Sequence, residues 1–314
     1  MKKALLVQGP LISPGFTPFF FDETGNYINE WVDYDAVANV CKIVDSALKF
    51  FDVIVISTWS GQSAQLLNTL QIWPENVFLE ILNEDDFLKK KREEGTHKYH
   101  QVKSTLAGAL ILESLNCDLV AKIRTDQSLD LEVLSFAVSN HANKPSYSFG
   151  VPYLNIFEMD RLTDFYFVAR TSILISTLKN YLVVQESFQD THKDYFYNFS
   201  DFIFKSTDLK SKKYLKLLNK YPHFYNFLAW TKFFYPLSPK LYRSMVWRGI
   251  KVNHRVNSWI RYFRTINVPN DYFLPMQLFW NLSLISLTRL FRLILMKPVS
   301  YIFFKANSLR LFVD

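Results

Sequence analysis

The sequence predicts an α/β protein built on a mostly parallel sheet with helices on both faces. Three observations carry that reading. Short apolar runs recur at 3–7, 51–57, 77–82 and 119–123, the second of them the β-branched Val53-Ile54-Val55-Ile56. Between several of them lie longer segments with apolar residues at helical spacing, and such alternation argues for parallel strands joined by helical crossovers. The strand-like runs also end in polar residues: Gln8, Ser57-Thr58 and Arg124-Thr125-Asp126. In an open α/β sheet the carboxyl ends of the strands are where ligands bind.

In chain order, residues 3–7 form the first strand, stopped by Gln8-Gly9-Pro10. The apolar run is too short for a secretory h-region, so the start reads as part of a mature cytoplasmic protein. Residues 13–33 show no period and read as a loop. Residues 34–51 place Val37, Val40, Cys41, Val44 and Leu48 on one helical face, with Asp33 or Asp35 at the start. Residues 51–57 and 77–82 are the second and third strands, and the charged run 89–94 reads as a solvated segment.

Residues 99–115 form a helix with two stripes. Gln101, Ser104, Thr105 and Gly108 share one face, while Val102, Leu106, Ala109 and Leu110 share another that is expected to meet the sheet. A strand at 119–123 follows, and then a helix at 130–138 capped by Ser128 or Asp130. Strands at 146–155 and 165–169 and a helix at 171–181 complete the front of the chain. The loop between those two strands carries Glu158, Asp160 and Asp164, and a carboxylate there is a candidate general base.

Composition narrows the function classes. Only two cysteines, Cys41 and Cys117, occur, in apolar contexts that suit a reducing compartment. No Cys/His spacing suggests zinc. Neither a G-x-G-x-x-G after the first strand nor a P-loop is present, which disfavours the common dinucleotide and P-loop sites. Charge is uneven: residues 1–200 hold 17 basic and 25 acidic side chains, residues 201–314 hold 19 and 4. The strongly basic back interleaves Tyr242, Trp247, Trp259 and Tyr262 with Lys and Arg. Residues 277–296 are apolar but interrupted by Asn281, Thr288, Arg289 and Arg292, which share one quadrant of a helix. That pattern suits a helix lying on an anionic membrane surface better than one crossing it. No nucleic-acid motif accompanies the charge, so no nucleic-acid partner is expected.

With these residues in view, the chain resembles the WavE lipopolysaccharide-synthesis family, a group of glycosyltransferase-like bacterial proteins. The resemblance lies in Val7-Gln8-Gly9-Pro10, Ile56-Ser57-Thr58-Trp59-Ser60-Gly61-Gln62, Gln101 with Ser104, Thr105 and Gly108, and Lys122-Ile123-Arg124-Thr125-Asp126, with a weaker match at Asp164. The basic, aromatic back of the chain reads as a basic helical acceptor and membrane-proximal region over 201–275 and amphipathic membrane-surface helices over 276–314; the resemblance covers roughly the first half of the chain and implies a GT-A-like domain over residues 1–200. It also implies a nucleotide-sugar donor, a lipid-linked saccharide acceptor, and a position in the cytoplasm at the inner face of the inner membrane. Donor-binding residues would be Gln8, Gly9, Pro10, Thr58, Trp59, Gln101, Thr105, Lys122 and Arg124. Asp126 would hold Mn²⁺ or Mg²⁺ and Asp164 would be the catalytic base. The family's usual Asp-x-Asp is Arg124-Thr125-Asp126 here, so a metal-independent site leaning on Arg124 and Lys122 stands beside the metal site. His100 stands where members usually carry Arg.

Overall fold

In the computed structural model the residues described are 1–17, 20–21, 27–28, 30–61, 66, 68–69, 73–95, 97–152, 162, 165–184, 191–206, 226, 229–230 and 232–252. The chain divides into two units, Met1–Thr265 and Ile266–Asp314. The second unit lies outside the described residues, as do the interfacial helix expected at 277–296 and Glu158, Asp160 and Asp164.

Four strands form the parallel heart of the sheet: β1 (Lys3–Gln8), β6 (Val53–Trp59), β7 (Val77–Leu82) and β8 (Leu119–Arg124). The hairpin strands β2 (Ile12–Phe16) and β5 (Trp31–Asp35) pair antiparallel beside it and flank the short pair β3 (Phe20–Phe21) and β4 (Tyr27–Ile28). This corrects the loop expected over 13–33. Pro14, Gly15 and an inverted pattern, with Ile12 and Phe16 exposed and Ser13 buried, hide a strand whose partner lies on the same hairpin.

Beyond β8 come the two-residue β9 (Gln127–Ser128), β10 (Phe149–Val151) and β11 (Phe167–Arg170). The last strands are β12 (Phe234–Pro236), β13 (Val246–Trp247) and β14 (Ile250–Lys251). The large sheet runs β12-β10-β11-β8-β1-β6-β7, with β11 antiparallel to both neighbours. Numbered by the chain order of its seven strands, this is 3-2-1-4-6-5-7, a GT-A-like α/β arrangement. A second sheet, β14-β13-β9, lies against the end of β8.

The helices are α1 (Val37–Ala47), α2 (Asp86–Glu93), α3 (Lys98–Ser114), α4 (Leu131–His141), α5 (Thr171–Val184), α6 (Thr191–Ser206) and α7 (Pro239–Ser244). Four start where side chains supply the missing acceptor: Asp85 accepts from Leu88 N at 2.9 Å, Asp130 from Val133 N at 3.0 Å, Asp35 from Val37 N at 2.9 Å and Ser238 from Lys240 N at 3.3 Å. The charged run at 89–94 belongs to α2 with its end, so it is helical as well as solvated.

Strand pleating sends alternate residues to two cores. Ala4, Leu6, Val53, Val55 and Val120 meet α3, α5 and α6; Leu5, Val7, Ile54, Ile56, Ala121 and Ile123 meet α1 and α4. Each fully buried Leu, Ile or Val contributes roughly 1.5–3 kcal/mol relative to exposure.

The boundary expected at residue 200 falls inside α6, and β12, from the basic stretch, extends the sheet beside β10. Its Phe234 sits opposite Phe149 and packs with Phe196 and Trp230. An apolar edge needs such cover, and local periodicity does not reveal where the covering strand comes from.

Candidate functional site

The strand order reverses between β1 and β8: the chain leaves β1 toward β6 and β7, then returns to the other side. Such a switch point opens a crevice at the carboxyl ends of the strands. Register places Gln8 opposite Ser57 on one side and Arg124 on the other. Gln8, Ser57 and Arg124 thus form a row across three strands, on the face that carries α3.

Gly9 and Pro10 are tied to the turn after β8. Gly9 N donates to Ser57 O at 3.1 Å, Thr125 N to Gln8 O at 3.0 Å, and Thr125 Oγ1 to Pro10 O at 2.6 Å. Gly9 has φ +139°, and a β-carbon there would lie 2.7 Å from Thr125 Oγ1. Glycine is required both by the dihedral and by the close approach. Asn39 of α1 donates to Thr125 O at 2.7 Å and Gln127 O at 2.9 Å, bracing the same turn.

Of the apolar stripe of α3, Val102 and Ala109 meet the sheet as expected, and the small polar stripe faces it beside them. Gln8 Nε2 donates to Ser104 Oγ at 2.8 Å, and Ser57 Oγ to Ser104 O at 2.7 Å. A β-carbon on Gly108 would lie 2.3 Å from Leu6 Cδ1. Small residues let this helix approach the strands closely, while Leu110 is left 39% exposed. Thr105 Oγ1 donates to Gln101 O at 2.7 Å, and Gln101 Oε1 accepts from Tyr195 at 3.4 Å.

Lys122 is buried on the same face with its ammonium 5.6 Å from the Phe167 ring centre, and with Thr105 and Tyr195 it lines a small cavity. Trp59 packs edge-on against His100, whose Nε2 lies 2.7 Å from Glu84 Oε1. Thr58 alternates with Ile54 and Ile56 and turns to the opposite core, away from Gln8 and Trp59. Gln8 Oε1, Thr58 Oγ1 and His100 Nδ1 are buried atoms of this region with no hydrogen-bond partner among the described residues.

Asp126 sits at the centre of a node that the sequence did not reveal. Arg124 donates to it twice, Nε to Oδ1 at 2.9 Å and a terminal nitrogen to Oδ2 at 3.0 Å. Oδ2 also accepts from Ser13 Oγ at 2.8 Å, Trp247 Nε1 at 3.0 Å and Arg248 Nε at 3.2 Å. Burial alone raises the carboxyl pKa; the Arg124 charge, with hydrogen bonds from Arg124, Trp247 and Ser13, outweighs it and holds the group well below the usual carboxylate range. Arg248 further bonds Phe16 O and Pro14 O, so it straps the β2–β5 hairpin to the end of β8.

The local fold explains how Arg248 arrives there. Arg248 and Gly249, with φ 50° and 78°, are the central residues of the two-residue turn between β13 and β14. Positive φ at both positions is the type I′ hairpin signature. Gly15 has φ +147°, and a β-carbon there would lie 2.4 Å from an Arg248 guanidinium nitrogen. Trp247 and Arg248 belong to the stretch that reads as a basic aromatic docking surface, yet Arg248 is buried and Trp247 is turned inward on Asp126. Ser13, Trp247, Arg248 and Tyr195 carry no motif of their own. Gly15 and the Arg-Gly pair at 248–249 are the only local signals that could have pointed to the node.

A divalent cation on Asp126 is a poor fit to this donor set. Five N–H or O–H groups already point at its two oxygens, and an ionised carboxylate offers about four lone-pair sites. Among the described residues no group of three or more His, Cys, Asp or Glu is placed to hold a metal. None of the described helices is long and apolar enough to cross a membrane.

The topology defines the class of protein: an α/β fold with a mainly parallel, GT-A-like sheet. Among solved structures the chain is similar to 4-diphosphocytidyl-2C-methyl-D-erythritol synthase from Anaerococcus prevotii DSM 20548, with 12% identity and a TM-score of 0.37, over 70% of this chain and 96% of that one. No protein-family model matches the chain, and no curated protein matches it. The resemblance to the WavE family therefore rests on its four motifs.

Proposed function

We propose that the protein is a GT-A-type glycosyltransferase that moves a sugar from a nucleotide-sugar donor to a lipid-linked saccharide in the synthesis of lipopolysaccharide or another bacterial surface glycan. The observation that carries this reading is the switch point between β1 and β8, flanked by Gln8 and Gly9 on one strand and by Arg124 in register on the other. A transferase that expels a nucleoside diphosphate must stabilise negative charge on the leaving group. Arg124 supplies a cation there, and Lys122 adds another at the Thr105 cavity.

In this reading Gln8, Gly9 and Pro10 meet the base and ribose, with the unpaired Gln8 Oε1 as an acceptor for the donor. Trp59, Gln101 and Thr105 shape the wall, and Asp164 activates the acceptor hydroxyl. The basic residues 201–314 draw the enzyme to the inner face of the membrane, where a lipid-linked acceptor is presented.

A thermal-shift screen over nucleotide-sugars, with Mn²⁺ and with EDTA, tests the assignment. A ligand at 100 times its Kd stabilises the native state by about 2.7 kcal/mol, a rise of about 4 °C for a chain this size. No rise with any nucleotide-sugar in either buffer would refute it.

The engagement of both Asp126 oxygens favours a second reading, a membrane-surface binding protein that has kept the fold and lost the chemistry. It predicts no heat of binding with any nucleotide-sugar, with or without Mn²⁺.

A further inference from the structure

We propose that the donor's diphosphate is held by Arg124 without a divalent cation, and that Asp126, Trp247 and Arg248 are positioning residues that fix that guanidinium. The inference rests on the transferase reading and deepens it.

Mg²⁺ and Mn²⁺ need oxygen ligands with lone pairs directed at the ion. At Asp126, Arg124, Ser13, Trp247 and Arg248 all donate to Oδ2 and Arg124 Nε takes Oδ1, so Oδ2 is saturated and Oδ1 keeps one lone pair beside a guanidinium. Two guanidiniums against one carboxylate leave the node with net positive charge, which repels a metal ion and attracts a phosphate. Moving the carboxylate to a metal would strand a buried Arg248, whose remaining bonds run to Phe16 O, Pro14 O and Ser13 Oγ.

The node also has the form of a preorganised anion site. Asp126 takes two of the five N–H donors of Arg124 and so sets the plane of its guanidinium. Trp247 packs its ring 5.9 Å from the Arg124 guanidinium carbon and 5.0 Å from that of Arg248, while its indole N–H fixes the carboxylate. Arg124 remains partly exposed at the strand tip, its side chain 16% accessible, beside the rim that Gln8 and Gly9 form. A planar fork held in this way suits bidentate phosphate recognition.

Calorimetric titration of the full chain with UDP, GDP, CDP and dTDP, in EDTA and in Mn²⁺, tests the proposal alongside Mn²⁺ electron paramagnetic resonance on the unaltered protein. The expected result is one nucleoside diphosphate bound with a Kd equal within threefold in both buffers, and a Mn²⁺ signal that the protein does not diminish. Arg124→Gln should weaken that binding at least tenfold while melting within a few degrees of the parent. Trp247→Phe should weaken the diphosphate severalfold and leave the corresponding nucleoside unchanged; equal loss of both would assign Trp247 a structural role and overturn its part. Binding tenfold weaker in EDTA, or stoichiometric Mn²⁺ uptake, would overturn the proposal alone. Absence of nucleoside diphosphate binding in either buffer would overturn the transferase reading and this inference with it.

Discussion

Arg248 reaches Asp126 from 122 residues further along the chain, with Nε 3.2 Å from Oδ2 and its backbone N–H 2.8 Å from the Asp126 carbonyl. The contact joins the β13–β14 hairpin, inside the basic stretch, to the tip of the central strand β8. It explains why a residue in a conformation unfavourable for a side chain is kept: the turn aims the guanidinium, and the carboxylate holds it.

Removing that guanidinium should therefore be costly. Arg248→Ala is expected to destabilise the fold by about 3–5 kcal/mol, the usual penalty for breaking a buried pair. Arg248→Lys should recover less than half of it, because an ammonium cannot reach Phe16 O, Pro14 O and Asp126 together. Urea unfolding of the two variants measures both effects; equal stability of Arg248→Lys and the parent would contradict the geometry.

Gly108 offers a test of the close approach between α3 and the sheet. In an exposed helix Gly→Ala stabilises by about 1 kcal/mol. Here the new methyl meets Leu6 Cδ1, itself fully buried, so Gly108→Ala is expected to destabilise by about 1–3 kcal/mol. Combining it with Leu6→Ala should cost less than the sum of the single changes, because the cavity accepts the methyl. Additive losses would show that the two side chains do not compete for one space.

His141 makes stability depend on pH. It is fully buried with Nδ1 2.7 Å from Tyr235 Oη. Burial, with Arg170 and Lys144 nearby, pushes its pKa down to about 4. The unfolded chain takes up the proton near pH 6.5, so the contribution of the neutral ring is full above that value and is lost as pH falls toward 4. Between pH 7 and pH 5 the loss should be about 2 kcal/mol from this group. His141→Gln should flatten that part of the profile in denaturation curves; an unchanged slope would exclude His141 as its source.

Lys98 and Asp194 form a second buried pair, 2.9 Å apart, joining α3 to α6. Tyr181 of α5 and Asn198 also donate to Asp194, so one carboxylate ties three helices. Asp194→Leu removes the carboxylate that Lys98, Tyr181 and Asn198 share and is expected to cost about 3–5 kcal/mol. Adding Lys98→Met should restore a measurable part of that loss. A double variant no more stable than Asp194→Leu would mean that the Tyr181 bond, not the ion pair, carries the link.

The strands of the sheet could be read because each is a local pattern. Residues 77–82 were legible to the residue, as Val77–Leu82. The start of α4 followed from Asp130, whose carboxylate does cap it. The β2–β5 hairpin was illegible because Pro14, Gly15 and its exposed positions mask alternation. The face of α3 was legible in part: Val102 and Ala109 meet the strands as their spacing suggests, and the close packing of Ser104 and Gly108 turns the small polar stripe to the sheet as well.

At the candidate site, the sequence by itself placed Gln8, Gly9, Arg124 and Asp126 at strand ends, which parallel alternation brings near one another; Thr58, one position off along its strand, turns to the other core. Only the tertiary structure decided what Asp126 touches. Its partners Ser13 and Arg248 are 113 and 122 residues away. Hydrophobic periodicity reports which way a side chain faces within a few residues, because it follows the pitch of one helix or the pleat of one strand. Which charges share a buried space depends on how distant hairpins close over the sheet, and no period in the chain encodes that distance.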